Sequence, residues 1–184
     1  MPKRNTGPKL SRRYAFVKRR LLRLPQQPHG MEVDFCPLPD MVPDESGFWL
    51  GLAVDHGTGF ISMTSVLDEP PTAEDAAEMV ARAMENSHLK APCRPETVYL
   101  RDNPSWEALY PWLGQLEVET VVTDDLLHWD AKAEDLMQWM RKHWSPVLQE
   151  FRTPVQEELG IFSKLSELSS LTYSFLYFEQ KEDR

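Results

Sequence analysis

Two apolar runs, Phe48-Trp49-Leu50-Gly51-Leu52-Ala53-Val54 and Phe60 to Val66, are separated only by Asp55-His56-Gly57-Thr58-Gly59. Parallel strands need a crossover of a dozen or more residues, so a link this short joins antiparallel neighbours. Two glycines that take φ > 0 readily make the link a hairpin turn. The sheet therefore contains an antiparallel pair, and every later element must be added to it. Just ahead of the hairpin, Met31 to Cys36 reads as an edge strand. A turn-rich stretch follows, with Pro37, Pro39 and Pro43 among Asp40, Asp44, Glu45 and Gly47.

Helices and strands alternate beyond the hairpin. Thr72, followed by Glu74 and Asp75, is a helix start in which the hydroxyl caps and the carboxylates face the positive end of the dipole. Ala76, Met79, Val80, Ala83 and Met84 keep helical spacing from there. Thr97 to Leu100 reads as a short strand running out at Asp102. Asn103-Pro104 then opens a helix carrying Leu109, Leu113 and Leu116, which Pro111 must kink or restart. Val118 to Val122 is a further buried strand, ended by Asp124-Asp125. Asp130 is placed to cap a helix lined by Ala133, Leu136, Met137, Met140 and Trp144, with Pro146 as its stop. Thr153-Pro154-Val155-Gln156 has the spacing of another helix start, and Leu171 to Phe178 fits strand or helix equally. A hairpin or three-strand meander followed by helix, strand, helix, strand, helix implies an α/β fold: a mixed sheet with flanking helices and a helical C-terminal third.

Charge divides the same chain differently. Residues 1–31 hold nine Lys/Arg and no Asp or Glu, whereas the remainder holds eleven basic and all twenty-nine acidic residues, a net charge of about −18. Residues 1–30 are accordingly expected to be a basic, disordered arm, and residues 31–184 a single globular domain of a size that can bury one core. Within the arm, Tyr14, Val17, Leu21 and Leu24 recur at helical spacing. Arg12, Arg13, Lys18, Arg19, Arg20 and Arg23 are the residues expected to contact nucleic-acid phosphates. An anionic membrane surface, an organellar transit peptide, and a spurious or solvated extension of a chain that starts at Met31 are the competing readings of the arm. No apolar run is long enough to span a bilayer. Two cysteines without CxxC spacing, Cys36 and Cys93, fit a reducing compartment, and the expected location is the cytoplasm.

The chain's best motif lies in the hairpin. Gly51-Leu52-Ala53-Val54-Asp55-His56-Gly57-Thr58 is an apolar strand ending in Asp-x-Gly-Thr, and with the order of elements it resembles the ribonuclease H-like clan, which includes Holliday-junction resolvases and integrase cores. The related actin-type ATPases are excluded by length. The chain also resembles small bacterial domains with an Asp-x-x-Thr-Gly hairpin and an Arg-Pro before the next strand, over residues 48–125. The clan resemblance implies that the aspartate binds a divalent metal or its water. It also implies an acidic residue on the final helix, and none is clearly placed there.

Metal-dependent phosphodiester cleavage needs carboxylates from several strand ends to hold Mg²⁺. Asp55, Asp102 and Asp124 all fall at such ends and are the candidate catalytic set. Aspartate is also a common way to leave a strand, because its side chain bonds the turn backbone. Together with the acidic body, this favours a non-enzymatic binding or adaptor protein with no cofactor and no metal, associated with nucleic acid through the arm. The alternatives are a Mg²⁺-dependent nuclease of ribonuclease H-like type and a protein-interaction module in which the arm plays no part. Trp106, Trp112, Trp129, Trp139 and Trp144 are either core or an aromatic surface for a protein partner. His56, His128 and His143 form no HxxxH or HExxH pattern and are read as solvated.

Overall fold

The computed structural model describes residues 10–38, 47–87 and 91–150, with side chains described up to residue 142. Helix α1 (Arg13–Leu21) leads into strand β1 (Gln26–Leu38), which is followed by β2 (Phe48–Asp55) and β3 (Ile61–Leu67). Helix α2 (Ala73–Glu85), β4 (Arg94–Leu100), a 3-10 turn (Pro104–Trp106), α3 (Leu109–Gly114), β5 (Glu119–Val122) and α4 (Leu127–Glu150) complete the order. The five strands lie in the order β3-β2-β1-β4-β5. β2 and β3 form the expected antiparallel hairpin and β1 pairs antiparallel with β2, while β4 and β5 run parallel to β1.

This places β1 at the centre of the sheet rather than at its edge. The strand starts at Gln26, so Met31 sits in its middle, opposite both Asp55 and Val98. Pro28 obscures the strand in the sequence because it has no N–H to give to the ladder. The β1–β4 register accommodates it with an irregularity between Gln27 and Gly30. The expectation of a disordered arm up to residue 30 is corrected at the same point. Tyr14 and Leu21 are buried in the main core, Val17 packs against it, and residues 26–30 are strand.

Period-two alternation divides the side chains of the sheet between two cores. Met31, Val33, Phe35 and Ala53 face α1, α2 and α3. Gly51 faces the same way, where a Cβ would come within 2.4 Å of the Phe35 ring, so only glycine lets α2 and this ring approach. Leu50, Leu52, Val54 and Ile61 face α4 through Leu126, Trp129, Ala133, Leu136 and Met140. Trp106, Trp112 and Trp129 are buried, which makes them core rather than a partner surface. Trp139 packs partly buried on the α4 side, and the side chain of Trp144 lies outside the described residues.

The capping residues behave largely as their chemistry dictates. Thr72 Oγ1 accepts from the Asp75 amide and Asp75 Oδ2 accepts from the Thr72 amide, a reciprocal box that starts α2. Asn103 caps the 3-10 turn, and α3 begins afresh at Leu109 with Pro111 inside its first turn. Asp130 does not cap α4, which starts earlier at Leu127 and continues past Pro146. The helix start at Thr153 and the segment 171–178 lie outside the described residues. Among the described residues no helix is long and apolar enough to cross a membrane.

The Arg-Pro before β4 has a structural use. Arg94 is buried; its Nε donates to the Leu24 carbonyl at 3.1 Å, its Nη1 to the Leu116 carbonyl, and its backbone N–H to the Pro25 carbonyl at 2.8 Å. One guanidinium thus ties the α1–β1 connection to the end of α3. Arg94→Ala leaves two carbonyls without their donor and is expected to destabilise the protein by about 2–4 kcal/mol in urea unfolding. Arg94→Lys, which lacks the fork, should recover less than half of that loss.

Candidate functional site

The three candidate catalytic aspartates do not converge. Asp55 is level with Met31 and hence with Val98, whereas Asp102 comes four residues after Val98 and two past the end of β4, about 13 Å on at the rise of an extended chain. Asp124, two residues past the end of β5, stands at the Asp102 end. Both Asp102 and Asp124 are exposed, and Asp102 acts electrostatically on Tyr110 of α3. Asp55 is buried and closes its own turn: Oδ1 accepts from the Gly57 amide at 3.1 Å, the Thr58 amide at 2.8 Å and the Thr58 hydroxyl at 2.7 Å. Gly59 completes the turn at φ +70°, the only described glycine in that region. No group of three or more His, Cys, Asp or Glu side chains suited to a metal occurs among the described residues.

Two other carboxylates occupy the centre of the molecule, both on β1 and both facing α4. Glu32 is fully buried. Its Oε1 lies 2.6 Å from His56 Nδ1, at the end of β2, and its Oε2 accepts from the Trp129 amide at 2.7 Å, in the first turn of α4. A carboxylate at that place meets the positive end of the helix dipole and takes a backbone donor that has no partner within the helix. His56 stacks on Tyr99, with ring centroids 4.2 Å apart, and meets the His128 ring edge-on at 6.3 Å. His56 is thus held by a buried acid rather than simply solvated.

Asp34, two residues along the same strand, is also buried. It pairs with Arg101, the first residue after β4, through Nη1–Oδ2 at 2.5 Å. Arg101 Nη2 bonds both carboxylate oxygens of Asp130 on α4, at 2.5 and 2.7 Å, and its Nε reaches the Asp124 carbonyl at 3.4 Å. The guanidinium carbon lies 5.3 Å from the centre of the Trp129 ring. Burial holds the Asp34 carboxyl above its ordinary range, offset in part by the Phe35 amide and by Arg101. Sequence reasoning missed Glu32, Asp34 and Arg101, because β1 was assigned to an edge, and treated Asp130 only as a helix cap. The signal was present in Glu32-Val33-Asp34, two acids on one face of an otherwise apolar strand.

The six basic residues of the N-terminal segment divide into two groups. Arg13 pairs with Glu78 and Arg20 with Glu85 on α2, and Lys18 Nζ donates to Gln115 Oε1 at 2.8 Å. Arg12, Arg19 and Arg23 are exposed, with no ion pair among the described residues. Arg13 and Arg20 therefore dock a basic helix onto an acidic one, and Lys18 ties it to the end of α3.

These features can be set beside known proteins. The family DUF6930, described as Domain of unknown function, matches residues 17–137. The chain belongs to the DUF6930 family. The match begins inside α1 and ends inside α4, so this DUF6930 domain includes β1 and much of what the charge pattern assigned to an arm. No curated protein matches the chain. Among solved structures, one similar chain belongs to the simian T-cell lymphotropic virus intasome in complex with PP2A regulatory subunit B56 gamma. Its TM-score is 0.51 at 15% identity, over 75% of this chain and 47% of that one. This domain therefore spans about half the length of that chain. Another is the HTLV-2 integrase catalytic core domain in complex with magnesium, with TM-score 0.50 and 12% identity over 72% and 80% of the two chains. These likenesses show the fold, which is ribonuclease H-like, and the strand order agrees with it. They do not support the resemblance to Asp-x-x-Thr-Gly domains. The hairpin strand carrying that motif is the second of the chain, and its aspartate is held within its own turn.

Three measurements check the site. Asp55→Ala removes an acceptor of three hydrogen bonds and should cost about 2–3 kcal/mol, while Asp55→Asn keeps an acceptor for the turn and should cost under about 1 kcal/mol. Arg101→Gln strips the counter-charge from Asp34 and should cost about 2–3 kcal/mol at neutral pH, below the loss at a fully buried pair because Arg101 keeps part of its surface in water. Without Arg101 the buried Asp34 carboxyl is raised further, so the Arg101→Gln deficit should be full above that higher value and shrink as pH falls from it towards the wild-type one. The Cys36 thiol, pushed up to about 11 by burial and then by Asp34, should react with a thiol reagent at pH 8 roughly a hundredfold slower in the native than in the unfolded protein.

Proposed function

We infer that this DUF6930 protein is a non-catalytic, ribonuclease H-like binding domain, an adaptor that contacts nucleic acid through its basic N-terminal helix. The observation that carries the reading is the position of Arg101. A metal-dependent nuclease of this fold holds its cations with carboxylates from strand ends and from the last helix. The carboxylates that meet here are Asp34, inside β1 rather than at its end, and Asp130 of α4, and their common cation is a guanidinium of the same chain. A tethered guanidinium that bridges the two carboxylates, Nη1 on Asp34 and Nη2 on both oxygens of Asp130, is a strong competitor for a hydrated divalent ion. The residues present do not fit Mg²⁺: Asp34 and Asp130 are committed to Arg101, and Asp55 is committed to its turn. The fold then serves as a scaffold, with the ion-paired cluster joining β1, β4 and α4.

Melting temperature measured with chelator and with millimolar Mg²⁺ or Mn²⁺ tests the reading. A domain without a metal site gains no stability by mass action, so the melting temperature should be unchanged, and single-stranded and duplex substrates should stay intact. A Mn²⁺-dependent rise that disappears in Asp34→Asn, or metal-dependent cleavage lost in the same variant, would overturn it.

A further inference from the structure

We propose that the outer face of α1 is a binding site for single-stranded nucleic acid, in which Arg12, Arg19 and Arg23 hold phosphates and Phe16 stacks on a base. The proposal rests on the non-catalytic reading above and names the partner class. At 3.6 residues per turn, positions 12, 16, 19 and 23 fall within about 60° of one another, on the side opposite Tyr14 and Leu21. The backbone supports this alignment. Arg12 and Leu22, which flank the helix, both have α-helical dihedrals, and Arg23 follows in a tighter turn, its amide bonding the Arg20 carbonyl three residues back at 3.1 Å, which keeps it on the same side. The stripe is about 16 Å long at the helical rise.

Phe16 decides the chemistry. It is 72% exposed, the highest value among the exposed large hydrophobics of the described residues, on a helix whose other aromatic residue, Tyr14, is 3% exposed. A membrane surface is a poor match, because an interfacial helix must bury its apolar face in lipid, and Tyr14, Val17 and Leu21 are already packed against the protein core. A folded protein partner is also a poor match, since such interfaces have a contiguous apolar centre, and here one ring stands among three cations. Guanidiniums that track a backbone around a planar ring that accepts any base are what single-stranded nucleic acid requires. The pairing described above sharpens the distinction. Arg13, Lys18 and Arg20, on the flanks of α1, are already engaged with α2 and Gln115, whereas the three arginines of the stripe have no ion pair among the described residues.

The test is fluorescence anisotropy with labelled oligo-dT, on the full chain in chelator, over a range of salt. Wild-type binding should weaken with salt at a logarithmic slope of at least about −2, since each phosphate held on a single strand contributes about −0.7. The triple variant Arg12→Gln, Arg19→Gln, Arg23→Gln should lose most of that slope and at least tenfold in affinity. Phe16→Ala should weaken oligo-dT about tenfold with its slope unchanged, and should leave duplex binding unaffected. Arg141→Gln, an exposed arginine on α4, controls for the loss of a single charge away from the stripe and should behave as wild type, while each single stripe variant, Arg12→Gln, Arg19→Gln or Arg23→Gln, should lose part of the slope. All these positions are exposed, so unchanged melting temperatures will show that the variants fold. No wild-type binding, equal binding by the triple variant, or no effect of Phe16→Ala would overturn the proposal and leave the metal test untouched. Metal-dependent cleavage of a strand still bound through the stripe would overturn the non-catalytic reading instead.

Discussion

Glu32 lies fully buried at the middle of the central strand, where an ionised carboxylate is expensive unless each oxygen is matched. One oxygen is matched by the imidazole at the end of β2 and the other by a backbone amide in the first turn of α4. Both partners come from elements far away in sequence, so the charge on β1 fixes where the hairpin ends and where the last helix begins. Trp129 reinforces the joint, because its indole N–H donates to the Leu52 carbonyl at 3.1 Å while its ring packs in the same cluster. The Asp34–Arg101–Asp130 group, one pleat along, repeats the arrangement with a side-chain cation in place of the helix amide. The sheet face toward α4 is therefore apolar on β2 and β3 but ionic on β1, and the position of α4 is set by charge as well as by packing.

The elements whose signals are local were legible in the sequence. The hairpin followed from the length of its link, α2 from Thr72 and Asp75, the restart of α3 from Pro111, and the inward face of α1 from Tyr14, Val17 and Leu21. From these the mixed sheet and the ribonuclease H-like order could be argued. The misplaced element was β1, for a physical reason. Pro28 interrupts its pairing, and Glu32 and Asp34 break the apolar run expected of a strand covered on both faces. Each of those carboxylates is stabilised only by partners that the fold brings together. The candidate site moves with it: an edge position for Met31 to Cys36 turns attention to the Asp-x-Gly-Thr hairpin, whose Asp55 bonds its own turn.

Charge segregation, which separated an arm from a body in the sequence, is partly a folding device. The basic α1 sits on α2, whose acids Glu78 and Glu85 it neutralises, and the Tyr14 hydroxyl donates to the Glu74 carbonyl at 2.6 Å. Each exposed pair contributes little alone. Together they orient a short helix whose apolar side is narrow, and they leave its opposite side cationic on a protein that is otherwise strongly acidic.

The central position of β1 also bears on how the domain emerges from the ribosome. Its pairing with β2 is local, but its other edge is completed only by β4, with Met31 waiting for Val98. A nascent chain that has released the β1–β2–β3 meander therefore presents an open edge, with Val33 and Phe35 uncovered, until α2 and β4 follow. Non-local parallel pairing of this kind is slow, and an open apolar edge is a site of aggregation. The open side of β1 is therefore sealed only once residues 73–100 have been delivered.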